Sequence, residues 1–100
     1  MIEIDAYFDI KDNADSEEYA KIAQELAVIL KDTQGFIEIR SYKVVAGSSI
    51  RWKAVVLWKT LADWAALTET RKYQKLMNRR AKVCSHVKYE VWMEANPLTE

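Results

Sequence analysis

One cysteine, one histidine, one proline and two glycines are scattered through these 100 residues, and each scarcity closes off a class of protein. With Cys84 alone no internal disulfide can form, and a lone thiol suits a reducing compartment, so the cytoplasm is the expected location. Cys84 and His86 supply two ligands where a structural zinc site needs four, so no metal is expected. Gly35 and Gly47 lie too far apart to build a phosphate-cradling loop, and no nucleotide cofactor is called for. No apolar run approaches the ~20 residues that span a bilayer. The N-terminus, Met1-Ile2-Glu3-Ile4-Asp5, has acids where a signal peptide carries basic residues, so no membrane association is expected.

Net charge is also missing, with 15 acidic and 15 basic residues. The balance hides a polarity: residues 1–38 hold ten acids and three bases, and residues 39–100 hold five acids and twelve bases. A nucleic-acid binder shows a basic domain or stripe. The one such cluster, Arg71, Lys72, Lys75, Arg79, Arg80 and Lys82, reads as a solvated helix face with cations near its C-terminal end. No nucleic-acid partner is expected, and the two halves are suited to attract one another.

What is present is hydrophobic periodicity. Residues 2–10 alternate strictly, with Ile2, Ile4, Ala6, Phe8 and Ile10 on one side, which predicts a strand with one buried face. Asn13-Ala14-Asp15 makes a turn, and Asp15 with Glu18 forms a capping box. Tyr19, Ile22, Ala23, Leu26, Ala27 and Leu30 then mark one stripe of a helix, which Gly35 stops. A second strand runs from Phe36 to about Val45, with a turn at 46–49. A third over 50–59 places Trp52, Ala54, Val56 and Trp58 on one side. Thr60 and Asp63 open a second helix, broken at Thr68-Glu69-Thr70, where Thr70 is a good new N-cap. A fourth strand over 86–94 alternates Val87, Tyr89, Val91 and Met93 against Lys88, Glu90, Trp92 and Glu94. A domain over 1–95 and a short tail over 96–100 follow, the boundary marked by Asn96-Pro97.

Strand, helix, strand, strand, helix, strand is the ferredoxin-like α+β plan: a four-stranded antiparallel sheet with both helices on one face. Right-handed crossovers order the strands 4-1-3-2. The helix-covered face takes Ile2, Ile4, Ala6, Phe8, Trp52, Ala54, Val56, Trp58, Val87, Tyr89 and Val91. The other face mixes Glu3, Asp5, Asp9, Arg51, Lys53 and Lys88 with Tyr7, Val55, Leu57 and Trp92. That apolar group is large for a face left in water. A second copy of the sheet is its natural cover, and a homodimer through Tyr7, Val55, Leu57 and Trp92 is expected.

Four features carry a family resemblance across residues 1–94: Gly35-Phe36 opening strand two, Leu57-Trp58-Lys59-Thr60 ending strand three, the broken second helix, and Tyr89-Glu90-Val91-Trp92 in strand four. In these the chain resembles the antibiotic-biosynthesis-monooxygenase-like family of dimeric α+β barrels. That superfamily includes cofactor-free monooxygenases, haem-degrading enzymes, lactone isomerases and polyketide cyclases. In the haem-degrading branch an asparagine, a tryptophan and a haem-ligating histidine fall where this chain has Phe8, Leu67 and Met77. Haem degradation is therefore not expected, nor any cofactor.

The resemblance implies a cavity between sheet and helices, bounded by Phe8, Trp52, Trp58, Trp64, Leu67, Tyr73, Met77 and Tyr89. It suits a small aromatic or quinol-type ligand oxygenated without a cofactor. Trp64 and Tyr73 flank the helix break. Tyr73 is placed to orient a phenolic oxygen and Arg80, one helical face further on, to stabilise an enolate. The plainer reading makes the tryptophans core and Arg80 a solvated or salt-bridged side chain. On that reading the chain is a non-catalytic binding or dimerisation module with its pocket filled. Cavity size separates the two: below ~100 Å³ favours the filled module, since ligand pockets usually exceed about 300 Å³.

Overall fold

A computed structural model of the protein describes residues 1–96; residues 97–100, most of the expected tail, lie outside them. The elements run β1 (Ile2–Ile10), α1 (Asn13–Lys31), β2 (Phe36–Lys43), β3 (Trp52–Trp58), α2 (Leu61–Thr68), α3 (Arg71–Val83) and β4 (Cys84–Met93). The sheet is ordered β2-β3-β1-β4, antiparallel throughout, as the crossover rule requires. Among the described residues no helix is long and apolar enough to cross a membrane.

The helix boundaries follow from side-chain caps. Thr60 is the N-cap of α2: its Oγ1 accepts from the Asp63 amide at 3.1 Å and donates to Asp63 Oδ2 at 2.8 Å. The break between α2 and α3 falls where expected. Thr70 N donates to Leu67 O at 3.0 Å, Thr70 Oγ1 donates to the same carbonyl at 2.8 Å, and Thr70 caps α3. One residue thus ends one helix and starts the next. At α1 the cap is Asp12, not the Asp15–Glu18 box: Asp12 Oδ1 accepts from the Asp15 amide at 3.0 Å. An aspartate three residues ahead of a free amide has the geometry of an N-cap, so α1 begins earlier. Gly35 is left-handed (φ 86°) but sits in the turn entering β2, past the C-cap Asp32. A Cβ at Gly35 would overlap the Asp63 side chain that accepts from the Thr60 cap.

The β2–β3 hairpin loop spans 44–51, longer than the expected turn. The Arg51 amide donates to Asp9 Oδ1 at 2.7 Å, a side-chain acceptor on β1. The other Asp9 oxygen pairs with His86 Nδ1 at 3.2 Å. His86 adopts a left-handed φ of 53° at a bulge, where Tyr7–Lys88 pairing gives way to Asp9–Ser85. One aspartate thereby ties the hairpin loop to the bulge of β4. The register slip starts β4 at Cys84 rather than 86 and turns Cys84 into the core, 4% exposed. Cys84 is buried and His86 exposed, so the two do not converge.

On the helix-covered face Ile2, Ile4, Ala6, Phe8 and Trp58 are buried against Ile22, Leu30, Leu67 and Leu76 from the helices. Val87, Tyr89 and Val91 differ from the expectation: they are 43%, 50% and 49% exposed. The physical reason is reach. Helix α1 lies against β1, β2 and α3, and α2 against β3, while α3 alone is seen to touch β4 and does so sparsely, so the edge strand projects beyond most of the helix layer. The charge polarity does act within the fold, since Arg79 on α3 bridges Glu18 and Glu25 on α1 at 2.8 and 2.6 Å.

Candidate functional site

Alternation on β1 and β3 aims Phe8 and Trp58 toward the helices, and the 3.6-residue period of α3 stacks Tyr73, Met77 and Arg80 over them. A cavity of about 80 Å³ remains between the layers, lined by Phe8, Trp58, Trp64, Leu67, Tyr73, Met77, Arg80 and Tyr89 among others. Eight of the nine residues expected there meet in one space. Trp52 does not line it. It borders a separate, more open cleft of about 270 Å³ at the β2–β3 hairpin, with Lys43, Arg51 and Lys53. That cleft is larger, but its cations rest over aromatic rings at the surface: Lys43 Nζ is 5.5 Å from the Trp52 ring and Lys53 Nζ 5.1 Å from Tyr42.

The smaller cavity holds the unusual group. Arg80 is 8% exposed, and among the described residues it forms no salt bridge. Its guanidinium lies 5.1 Å from the Phe8 ring centroid and 5.6 Å from that of Tyr89. Nη1 donates to Tyr89 Oη at 2.7 Å and to Met77 Sδ at 3.6 Å. Among the described residues Nη2 is buried with no hydrogen-bond partner, as is the indole nitrogen of Trp58. Burial raises the phenol of Tyr73, with the nearby Tyr89 adding and Arg80 opposing. Burial likewise raises Tyr19, opposed by Arg80, and the Cys84 thiol. Tyr73 and Tyr19 therefore act as neutral hydrogen-bond donors rather than as bases.

Sequence reasoning missed part of the wall. Tyr19 and Ile39 also line the cavity, as does Ser41. Tyr19, whose ring centroid is 5.0 Å from that of Phe8, belonged to the α1 stripe and was legible as core. Ser41 carried no local signal, because its place depends on how β2 pairs with β3. Among the described residues no three His, Cys, Asp or Glu side chains gather as a metal site would need.

On the uncovered face, Asp5 and Val55 face each other across β1 and β3 and are buried, 4% and 7% exposed. The Asp5 carboxyl is pushed up to about 6 by burial, then by its hydrogen bond with Glu3 and the Glu3 charge. Lys53 opposes the shift and Glu90 adds to it. Trp92 is 55% exposed on the same face.

Similar folds are found among solved structures. SnoaB, a cofactor-independent oxygenase from Streptomyces nogalater, superposes with a TM-score of 0.80 at 8% identity, over 99% of this chain and 97% of that one. A dimeric ferredoxin-like protein of unknown function from Jannaschia sp. CCS1 gives 0.82 at 8% identity, over 93% and 98%. A ferredoxin-like protein of the dabb family from Mesorhizobium loti gives 0.77 at 10% identity, over 95% and 97%. No protein-family model and no curated protein sequence matches the chain. Identities this low establish the fold and leave the reaction open.

Proposed function

We propose that the protein is a cofactor-independent oxygenase of a small aromatic or quinol-type substrate, working as a homodimer in the cytoplasm. The observation that supports this is the buried Arg80, whose Nη2 has no partner inside an aromatic cavity. A side chain kept only for packing would not carry a desolvated charge, because burying an unpaired charge is strongly unfavourable. A positive charge beside a bound phenol or enol favours its anion, which lowers the need for a protein base. That matters here, since Tyr73 and Tyr19 stay neutral. Tyr73 donates to the phenolic oxygen, Trp64 walls the ring, and the apolar lining excludes water while the anion meets dioxygen. The substrate supplies all four electrons and two hydrogens: its carbanion carbon bonds one oxygen of dioxygen, the O–O bond breaks, and the second oxygen leaves as water with those hydrogens, giving a quinone-level product.

A second reading has its own observation. At about 80 Å³ the cavity falls on the filled-module side of the ~100 Å³ divide set by typical ligand pockets. It has room for one ring at most, and not for a fused three-ring system. Tyr89 is the half-exposed wall of the cavity.

Oxygen uptake by the purified protein distinguishes the two readings, over single-ring hydroquinones, naphthalene hydroquinones and anthrones. The oxygenase gives protein-dependent uptake, fastest with single rings. Tyr73→Phe and Trp64→Ala each lower it at least tenfold, the scale of losing one positioned donor or wall. Rates no higher than the uncatalysed reaction across the panel would leave the binding module standing.

The dimer reading rests on the open face, where Tyr7, Leu57 and Trp92 are incompletely buried beside Val55, and on the dimeric state of the Jannaschia neighbour. Sedimentation equilibrium tests it, against a subunit mass of 11.6 kDa.

A further inference from the structure

Arginine keeps its charge at every pH a folded protein survives, so a buried one needs an anion close by. Arg80 has none among the described residues: the ion pairs are Arg40–Glu38, Arg79–Glu18, Arg79–Glu25, His86–Asp9 and Lys88–Glu90. The acids of α1 that face α3 are taken by Arg79, one residue before it. The groups around Arg80 cannot supply the charge. Burial keeps Tyr19, Tyr73 and Cys84 protonated, and Met77 Sδ and Tyr89 Oη are neutral acceptors. Among the described residues Nη2 is left buried and unpaired, on a side chain that lines the cavity.

We propose that this cavity is a binding site for a single-ring aromatic carboxylate, whose carboxylate meets Arg80 Nη2 and whose ring lies between Phe8, Trp64 and Tyr73. The inference rests on the oxygenase reading and deepens it: the substrate carries a permanent carboxylate ortho to the phenolic oxygen that reacts, so that both lie beside the guanidinium. A neutral ring would leave the guanidinium uncompensated. A phenol alone would first have to lose its proton to supply the charge. A carboxylate arrives ionised and planar, matched to a guanidinium nitrogen. The cavity volume of about 80 Å³ restricts the remainder to one ring. The Phe8 and Tyr89 rings lie 5.1 and 5.6 Å from the guanidinium, and Tyr89 Oη engages Nη1 at 2.7 Å, which leaves Nη2 for the ligand.

Calorimetric titration of the intact protein at pH 7 with benzoate, benzamide and phenol tests this directly, with methyl resonances of Leu67 and Met77 marking the cavity. Benzoate is expected to bind at least tenfold tighter than benzamide and to shift both methyl signals. Arg80→Lys, which keeps the charge but shortens the reach, weakens benzoate about tenfold, and Arg80→Met abolishes its advantage over benzamide. Should Arg80→Met fail to fold, the wild-type comparison and the lysine variant still decide. Equal binding of benzoate and benzamide, or benzoate shifts confined to surface lysines, would overturn the proposal. Phenol binding that tightens with rising pH while benzoate shows no preference would overturn it in favour of a phenolate. Uptake of oxygen with hydroquinone but no preference for benzoate sinks this inference and spares the oxygenase reading. Benzoate binding without oxygen uptake on 2,5-dihydroxybenzoate does the reverse.

Discussion

The two faces of one sheet each bury a charged residue, and they handle it in opposite ways. Under the helices Arg80 is 8% exposed with Nη2 unpaired; on the open face Asp5 is 4% exposed with Oδ1 unpaired. A carboxyl can escape its desolvation by holding a proton, and Asp5 does so, moving up to about 6. A guanidinium has no such exit, and a carboxylate ligand is the compensation we propose for it. Comparable burial therefore makes one residue a titrating group and the other a candidate binding group. The difference lies in the ionisation chemistry of the side chain rather than in the packing around it.

The covered face bears the weight of the fold, and its largest test is Trp58→Ala. Trp58 is 1% exposed, and removing a fully buried large aromatic costs about 3–5 kcal/mol, read as a fall in the urea midpoint. Since its indole nitrogen has no partner, Trp58→Phe is expected to cost less than half of that.

Trp92→Asp attacks the open face instead. It is expected to weaken self-association at least tenfold while leaving the urea midpoint of the subunit nearly unchanged. Leu57→Asp does the same. A Trp92→Asp protein that still sediments as a dimer would show that the second copy docks elsewhere.

Thr70→Ala should cost about 1 kcal/mol, the usual value of an N-cap. Thr70 Oγ1 donates to Leu67 O at 2.8 Å and accepts from Tyr73 N at 3.4 Å. Loosening the helix break should also change oxygen uptake, because Trp64 and Tyr73 lie on either side of it.

The narrowest test of the comparison is the pH dependence of Asp5→Asn. Between 3.8, the ordinary value, and about 6 the folded protein holds a proton that the unfolded chain has released. Stability from this group is therefore full below that window and is lost as pH rises through it. Asp5→Asn should flatten the decline between pH 4 and 6 in denaturation curves. A decline of unchanged slope would assign it to another carboxyl.

How much of this was legible depends on the range of the interactions. The alternation of Ile2 to Ile10, the α1 stripe and the threonine pair at the helix break are local patterns, and they led to the right elements and strand order. The N-cap of α1 was misplaced because Asp12 and Asp15 are equally good candidates in one dimension. The burial of Val87, Tyr89 and Val91 was misjudged for a different reason. Alternation shows which residues share a side of a strand, but not whether a helix reaches far enough to cover it.

The amino-acid sequence by itself determined the ferredoxin-like plan, the caps at Thr60 and Thr70, and the grouping of aromatic residues toward one layer, because periodicity and side-chain capping act within a few residues. Only the tertiary structure decided that Arg80 turns inward without a counter-ion among the described residues while Arg79 takes both neighbouring glutamates. It also decided that the cavity closes to about 80 Å³ and that Trp52 faces a different cleft. Those outcomes depend on how α1, α3 and β4 meet, and a chain in one dimension does not say which of two adjacent arginines will be left in the dry space between them.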